Sequence, residues 1–193
     1  MTPWHTEDAF HPYRADWVVL ACLRNPDSAA TTIGCVDDVR LSRTDLKVLF
    51  EPRFIISPDN SHRLANNTAK GEADFGRVEQ MVQDPPPVPL LSGDPADPYI
   101  TADVFFWDVY DSDDEEAAGA LNHLTEQVDR CLQDVVLEPG DFCFIDNFKA
   151  VHGRKPFAAR YDGRDRWLKR VCITRDLRKS RDARHDSLSR IMQ

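Results

Sequence analysis

Many short β-rich runs around one helical stretch predict a mainly β domain with a minor α component. The first observation is the set of runs rich in β-branched and aromatic residues: WVVLACLR (17–24), RFIIS (53–57), YITADVFFW (99–107), FCFID (142–146) and RWLKRVCIT (166–174). The second is the single convincing helical pattern, between Asp113 and Gln133. The third is length and composition. With 193 residues, 41% apolar and 30% charged, the chain can bury one real core and is not a disordered polymer. One domain over residues 1–193 is therefore expected.

In chain order, WVVLACLR ends at Asn25-Pro26-Asp27, a turn signal, and a second β-rich run follows at 30–36, so the pair reads as a hairpin. Ser42 before LKVLF, with Asp45 three residues on, marks the start of a short helix. Residues 58–98 are polar, then proline-rich (Asp84-Pro85-Pro86-Pro87, Pro89). They read as a long loop, either a surface insertion or a lid over a pocket. YITADVFFW reads as one strand. Asp113–Gln133 has an acidic first turn, then Leu121, Leu124, Val128 and Leu132 at helical spacing, a core-facing stripe. Pro139-Gly140-Asp141 turns the chain into FCFID, and Asn147 turns it again into AVH (150–152), which places His152 on a strand. The basic tail from Arg175 alternates with Asp176, Asp182 and Asp186 and reads as a solvated arm over 175–193.

Charge and apolar content exclude several partner classes. The net charge of −9 argues against nucleic acid and anionic membrane surfaces. MTPWHTED contains no leader pattern, and no stretch reaches the apolar length of a membrane span. The five cysteines (Cys22, Cys35, Cys131, Cys143, Cys172) show no C-x-x-C pairing, and all but Cys131 lie in strand-like runs. A reduced, cytoplasmic protein is expected.

The chemistry-bearing pattern is His5-Thr6-Glu7 with His152. Two imidazoles and one carboxylate can hold iron(II) on one triangular face and leave the opposite positions open. His5 and Glu7 are two residues apart, so in an extended chain both side chains leave one face, about 7 Å apart at the backbone. The absence of cysteine from the set disfavours a structural zinc site. His11, His62, His123 and His185 are read as ordinary hydrogen-bonded or surface histidines. In the last strand, period-two alternation puts Arg166, Leu168, Arg170, Cys172 and Thr174 on one face. Two arginines are poor core filling. They make sense on a face that lines a barrel holding carboxylates.

HTEDAFHPYRADWVVLACLRNP (5–26) and LEPGDFCFIDNFKAVHGRKPFAARYDGRDRWLKRVCITRDLRKSR (137–181) resemble the clavaminate synthase-like branch of the iron(II)/2-oxoglutarate oxygenases in the TauD/TfdA superfamily. That branch includes the arginine and enduracididine β-hydroxylases and asparagine oxygenase. The resemblance continues through ATTIG (30–34), PDNSH (58–62) and GDPADPYI (93–100). It implies a double-stranded β-helix, the jelly-roll barrel of these oxygenases, with iron(II), 2-oxoglutarate and dioxygen as cofactor and cosubstrates.

Carried over by residue, the resemblance implies iron on His5, Glu7 and His152. Arg166 would take the distal carboxylate of 2-oxoglutarate, joined by a threonine hydroxyl from Thr31 or Thr32, of which Thr32 is chosen. Arg170 would take the α-carboxylate of an amino-acid substrate, and Glu7 would also accept its ammonium. Asp103 would present an acid to a guanidino side chain. The implied activity is hydroxylation of a free L-amino acid, arginine or a guanidino relative, at an unactivated carbon (the β carbon expected), in specialised metabolism such as antibiotic biosynthesis. The alternatives are an asparagine- or citrulline-type oxygenase and an inactive remnant. Relatives carry a substantial segment before the first ligand, which here stands four residues after Met1, so an N-terminally truncated enzyme is expected.

Overall fold

The computed structural model describes residues 2–62 and 75–189. Its elements in chain order are β1 (Thr2–His5), β2 (Trp17–Arg24), β3 (Thr31–Cys35), α1 (Arg43–Leu49), β4 (Phe54–Ile56), α2 (Phe75–Gln83), β5 (Leu91–Asp94), β6 (Asp97–Ile100), β7 (Trp107–Val109), α3 (Glu115–Cys131), β8 (Gln133–Val135), β9 (Phe142–Asp146), β10 (Ala150–Arg154) and β11 (Trp167–Ile173). Two antiparallel sheets form the jelly roll: one in the order β1-β10-β3-β8, the other β11-β2-β9. Small ladders pair β4 with β7 and β5 with β6.

Side-chain alternation defines an inside and an outside. Val18, Ile145 and Ala150 form a small core between the two sheets, with Leu20, Ile33 and Cys143 packed against it. On the outer side of the four-stranded sheet, Trp4 and Val151 join the main core with Val48 and Leu49 of α1 and with Ala117, Ala120, Leu124 and Val128 of α3. Each large side chain fully buried there, such as Leu49 or Phe54, stabilises the fold by about 1.5–3 kcal/mol. α1 and α3 start at their caps: Asp45 N–H donates to Ser42 Oγ at 3.0 Å, and Ala117 N–H to Asp114 Oδ1 at 3.0 Å.

Four expectations are corrected. Residues 17–24 and 30–36 do not form a hairpin: β2 pairs with β11 and β9, whereas β3 pairs with β10 and β8. The Asn25 side chain closes a wide loop instead, with Oδ1 accepting from Ala29 N–H at 3.0 Å and Nδ2 donating to Leu137 O at 3.0 Å. A tight two-residue turn would have kept both strands in one sheet; this loop carries the chain across to the other. YITADVFFW is likewise not one strand. Asp103 breaks it, accepting at its carbonyl from Phe106 N–H (3.0 Å) and at Oδ1 from Phe105 N–H (3.2 Å), a turn between β6 and β7.

Nor is 58–98 one loop. It contains α2 and most of the β5–β6 hairpin, and Leu90 and Leu91 are buried in the main core. Its residues 63–74 lie outside the described residues. The tail is not a solvated arm as far as it is described. Arg184 is buried and donates to the carbonyls of Leu177 (2.6 Å), Ser180 (3.2 Å), Ser187 (3.1 Å) and Ser189 (3.1 Å). A guanidinium with five donors satisfies turn carbonyls that charge alternation alone does not reveal. The folded tail also docks on the stretch before β2: Tyr13 Oη donates to Asp182 Oδ2 at 3.1 Å, and Arg175 N–H to Asp16 Oδ2 at 2.7 Å.

Candidate metal centre and anion pocket

Register brings the two histidines together. In the β1–β10 ladder His5 is the direct partner of His152, and their ring centroids lie 4.6 Å apart. Cross-strand partners share a face, and here that face is the interior. β1 can lie this close to β10 because Gly153 has no side chain. A Cβ there would stand 2.8 Å from Thr2 O, closer than real Cβ atoms come, and a tight 3.0 Å from Trp4 N.

Glu7 completes the set just past β1: one donor atom from each of His5, Glu7 and His152 lies within 4.8 Å of the others. Nδ1 of His5 sits 3.0 Å from Pro3 O, which only accepts, so that nitrogen carries the hydrogen and Nε2 keeps its lone pair. Glu7 Oε2 faces His152 Nε2 at 3.5 Å. It is buried without a hydrogen-bond partner, as is His152 Nδ1. Glu7 Oε1 accepts from Arg170 Nη1 at 2.5 Å. Burial pushes the Glu7 carboxyl up, but the His152 contact and the Arg170 charge outweigh it and hold the group below its ordinary value. Burial lowers His152, against the pull of Glu7. An ionised carboxylate and a neutral imidazole are the forms a metal requires. The orphaned carboxylate oxygen and the nitrogen–oxygen donor set fit a divalent ion such as iron(II).

Farther along the interior lies a second charged cluster. Arg166 Nη2 donates to Thr31 Oγ1 at 3.1 Å. Thr31 is the cross-strand partner of Arg154, so Arg154, two residues past His152, projects from the same face. Both Arg154 Nε and Arg166 Nε are buried without a partner. Burial first, then the neighbouring Arg154 charge, lowers Arg166 below the ordinary arginine value. Thr32 is misassigned by sequence. It is the partner of Gly153 and points to the opposite face, with its Oγ1 against the Gly153 backbone, so Thr31 is the threonine in this cluster. Asp103 bridges His5 through the backbone, and burial raises its carboxyl pKa. It is an acid beside the metal cluster with no cation bound to it among the described residues.

Residues 49–172 match the family described as "Taurine catabolism dioxygenase TauD, TfdA family". The chain belongs to the TauD/TfdA family. Within it, the chain is 43% identical to an enduracididine β-hydroxylase of Streptomyces hygroscopicus, over 98% of this chain and 58% of that protein. It is 45% identical to an L-ornithine/L-arginine 3-hydroxylase of Catenulispora acidiphila, over 92% of this chain and 54% of that one. The crystal structure of the non-heme iron oxygenase OrfP with Fe, succinate and (3R,4R)-dihydroxy-L-Arg superposes on 100% of this chain and 58% of OrfP, with a TM-score of 0.92 and 49% identity. The chain thus spans a little over half the length of these TauD/TfdA relatives.

Sequence reading did not single out three residues that pack on or beside these clusters. Arg154 shows its role only through the β10–β3 register. Arg14 is buried, donates to Thr6 Oγ1 (3.2 Å) and Ile100 O (2.8 Å), and stacks on Phe148 at 4.4 Å. Burial pushes its pKa down to about 10, still charged at neutral pH. Asn147, which sequence marked only as a turn, is fully buried against the Glu7 backbone. Of the other histidines, His62 contacts Asp8, the neighbour of Glu7, at 3.2 Å, and His123 contacts Asp45 at 3.2 Å, in keeping with hydrogen-bonded roles.

Proposed function

We propose that this chain carries the iron(II)- and 2-oxoglutarate-binding core of a hydroxylase acting on a free guanidino L-amino acid, arginine or a close relative. The observation that supports it most is one interior, lined by both sheets, that holds the His5–Glu7–His152 cluster, the Arg166–Thr31–Arg154 cluster and the Glu7–Arg170 ion pair. When bound, iron(II) would couple oxidative decarboxylation of 2-oxoglutarate by dioxygen to hydroxylation of an unactivated carbon, the β carbon expected.

The chain's own residues bind and orient. His5, Glu7 and His152 hold the metal. Arg166 and Thr31 receive the distal carboxylate of 2-oxoglutarate, with Arg154 as a second guanidinium beside it. Arg170 and Glu7, paired with each other here, are spaced to receive the carboxylate and ammonium of an amino acid in place of that pair. Asp103 offers its carboxylate to a guanidinium, which would offset the penalty that burial places on its charge. The relatives that are hydroxylases of arginine, ornithine and enduracididine agree with this choice of substrate class. Five free thiols agree with a reduced, cytoplasmic setting, and no helix among the described residues is long and apolar enough to cross a membrane.

Anaerobic addition of iron(II) and 2-oxoglutarate should give the weak visible charge-transfer band of a chelated ferrous centre, and His152→Ala should abolish it. An unchanged band in that variant overturns the ligand set. A substrate panel read by succinate release tests the amino acid: turnover of asparagine with none of arginine or its relatives would replace the guanidino reading.

A further inference from the structure

Between β1 and β2 the chain makes a loop, residues 6–16, that carries Glu7 and immediately afterwards places Asp8 at φ 51°. Aspartate tolerates that left-handed conformation better than most residues, so the chain bends sharply just after Glu7. Asn147, in the turn between β9 and β10, holds the backbone before the bend. Its fully buried side chain accepts at Oδ1 from Glu7 N–H at 2.7 Å and donates through Nδ2 to Glu7 O and Ala15 O, both at 3.0 Å. Its own N–H donates to Asp16 O at 2.9 Å. One amide therefore grips both backbone polar groups of Glu7 and ties down the far end of the same loop. A carboxamide presents donor and acceptor side by side, as a peptide edge does; neither a hydroxyl nor a carboxylate of this length can serve all three bonds.

The Glu7 carboxylate hangs from the backbone unit so gripped, with Oε2 3.5 Å from His152 Nε2. We infer that Asn147 is a positioning residue for the metal carboxylate: it fixes the Glu7 backbone and thereby where that carboxylate meets His5 and His152. This rests on the metal reading above. A loop anchor with no bearing on the metal would lower the melting temperature when lost, yet leave the metal affinity of the folded protein unchanged.

Calorimetric titration of the full chain with cobalt(II) separates the two roles through a double-mutant cycle. Asn147→Ala should weaken cobalt(II) binding about 10- to 100-fold, the usual cost of losing an outer support of a metal ligand. In a Glu7→Ala background the same substitution should cost nothing further. Equal losses in both backgrounds, or none in either, would overturn the assignment. Asn147→Asp covers the case in which the alanine variant does not fold. It keeps the shape and the acceptor but sets a carboxylate oxygen against the Glu7 and Ala15 carbonyls. Its added negative charge alone would tighten cation binding, so weaker binding reports a displaced Glu7, and tighter binding overturns the role of Asn147. A wild-type chain that takes up no cobalt(II) overturns the metal reading itself.

Discussion

The two sheets carry their functional groups by different means. In the β1-β10-β3-β8 sheet the metal-end groups are short and set by backbone register, His5 opposite His152, and this sheet carries one arginine of the interior, Arg154 opposite Thr31. Its outer face is covered by α3, and Trp4 Nε1 donates to Asp129 Oδ1 of that helix at 2.7 Å. In the β11-β2-β9 sheet the groups are long arginines that reach inward, and the outer face is open, with Phe142 and Phe144 about two-thirds exposed. Arg170 is itself 57% exposed along its side chain, although it touches a carboxylate that is 6% exposed. Ladder geometry is stiff, whereas a side chain with several torsions adapts. The metal end should therefore tolerate almost no substitution, and the anion end should respond by degrees.

Gly153→Val breaks the stiff side and should have the largest effect. The added atoms cannot coexist with Thr2 O, so β1 must shift away from β10 and separate His5 from His152. Metal binding should be lost, with destabilisation of about 1–3 kcal/mol from overpacking, read by calorimetry and thermal melts. A variant that binds metal normally would show that register does not hold the site.

Asp103→Asn comes next. Its carboxylate stands at the turn beside β1, between register and reach. Stranding a substrate guanidinium costs on the order of 3–5 kcal/mol, so turnover of an arginine-like substrate should fall by orders of magnitude. Uncoupled 2-oxoglutarate decarboxylation should persist. Loss of both activities together would mean that Asp103 serves the metal end instead.

The adaptable side is sharpened by Arg166→Lys, which keeps charge but loses the two-pronged donor. We expect the 2-oxoglutarate requirement to rise about tenfold, about 1.4 kcal/mol, and more than the amino-acid requirement. The opposite order would mean that Arg166 and Arg170 exchange roles.

The smallest effect is expected at Asp114, which caps α3 and receives Arg53 Nε at 2.7 Å. The Arg53 hydrogen bond, then the Ala117 N–H, holds its carboxyl below the ordinary value. A depressed folded-state pKa stabilises above the unfolded value of about 3.9 and is lost as pH falls below it. Asp114→Ala should therefore lower the melting temperature slightly at neutral pH, and the gap from wild type should close toward pH 3. A gap unchanged by acid would show that the ion pair contributes nothing.

Sequence alone determined the mainly β architecture, α1 with its Ser42 cap, α3, the strand positions of His152, Phe142–Asp146 and the last ladder, and the His5, Glu7 and His152 set. The architecture rests on short-range rules, capping and period-two or helical alternation. The ligand set rests on the two-residue spacing of His5 and Glu7 together with the family resemblance that singles out His152. Inward alternation likewise put Arg166 and Arg170 on one face, where one contacts Thr31 and the other Glu7. Tertiary structure alone decided the rest. Thr31 and not Thr32 meets Arg166, because a one-residue offset in the β3–β10 register exchanges inside for outside. Asn25 sends β2 and β3 to different sheets, Asp103 turns a run that reads as one strand, and Asn147 holds Glu7 from 140 residues away. Thr31 and Asn147 are buried polar groups whose partners lie 135 and 140 residues away, and the half-buried Asn25 reaches Leu137. Such a group must be satisfied somewhere, and only the packed fold shows where.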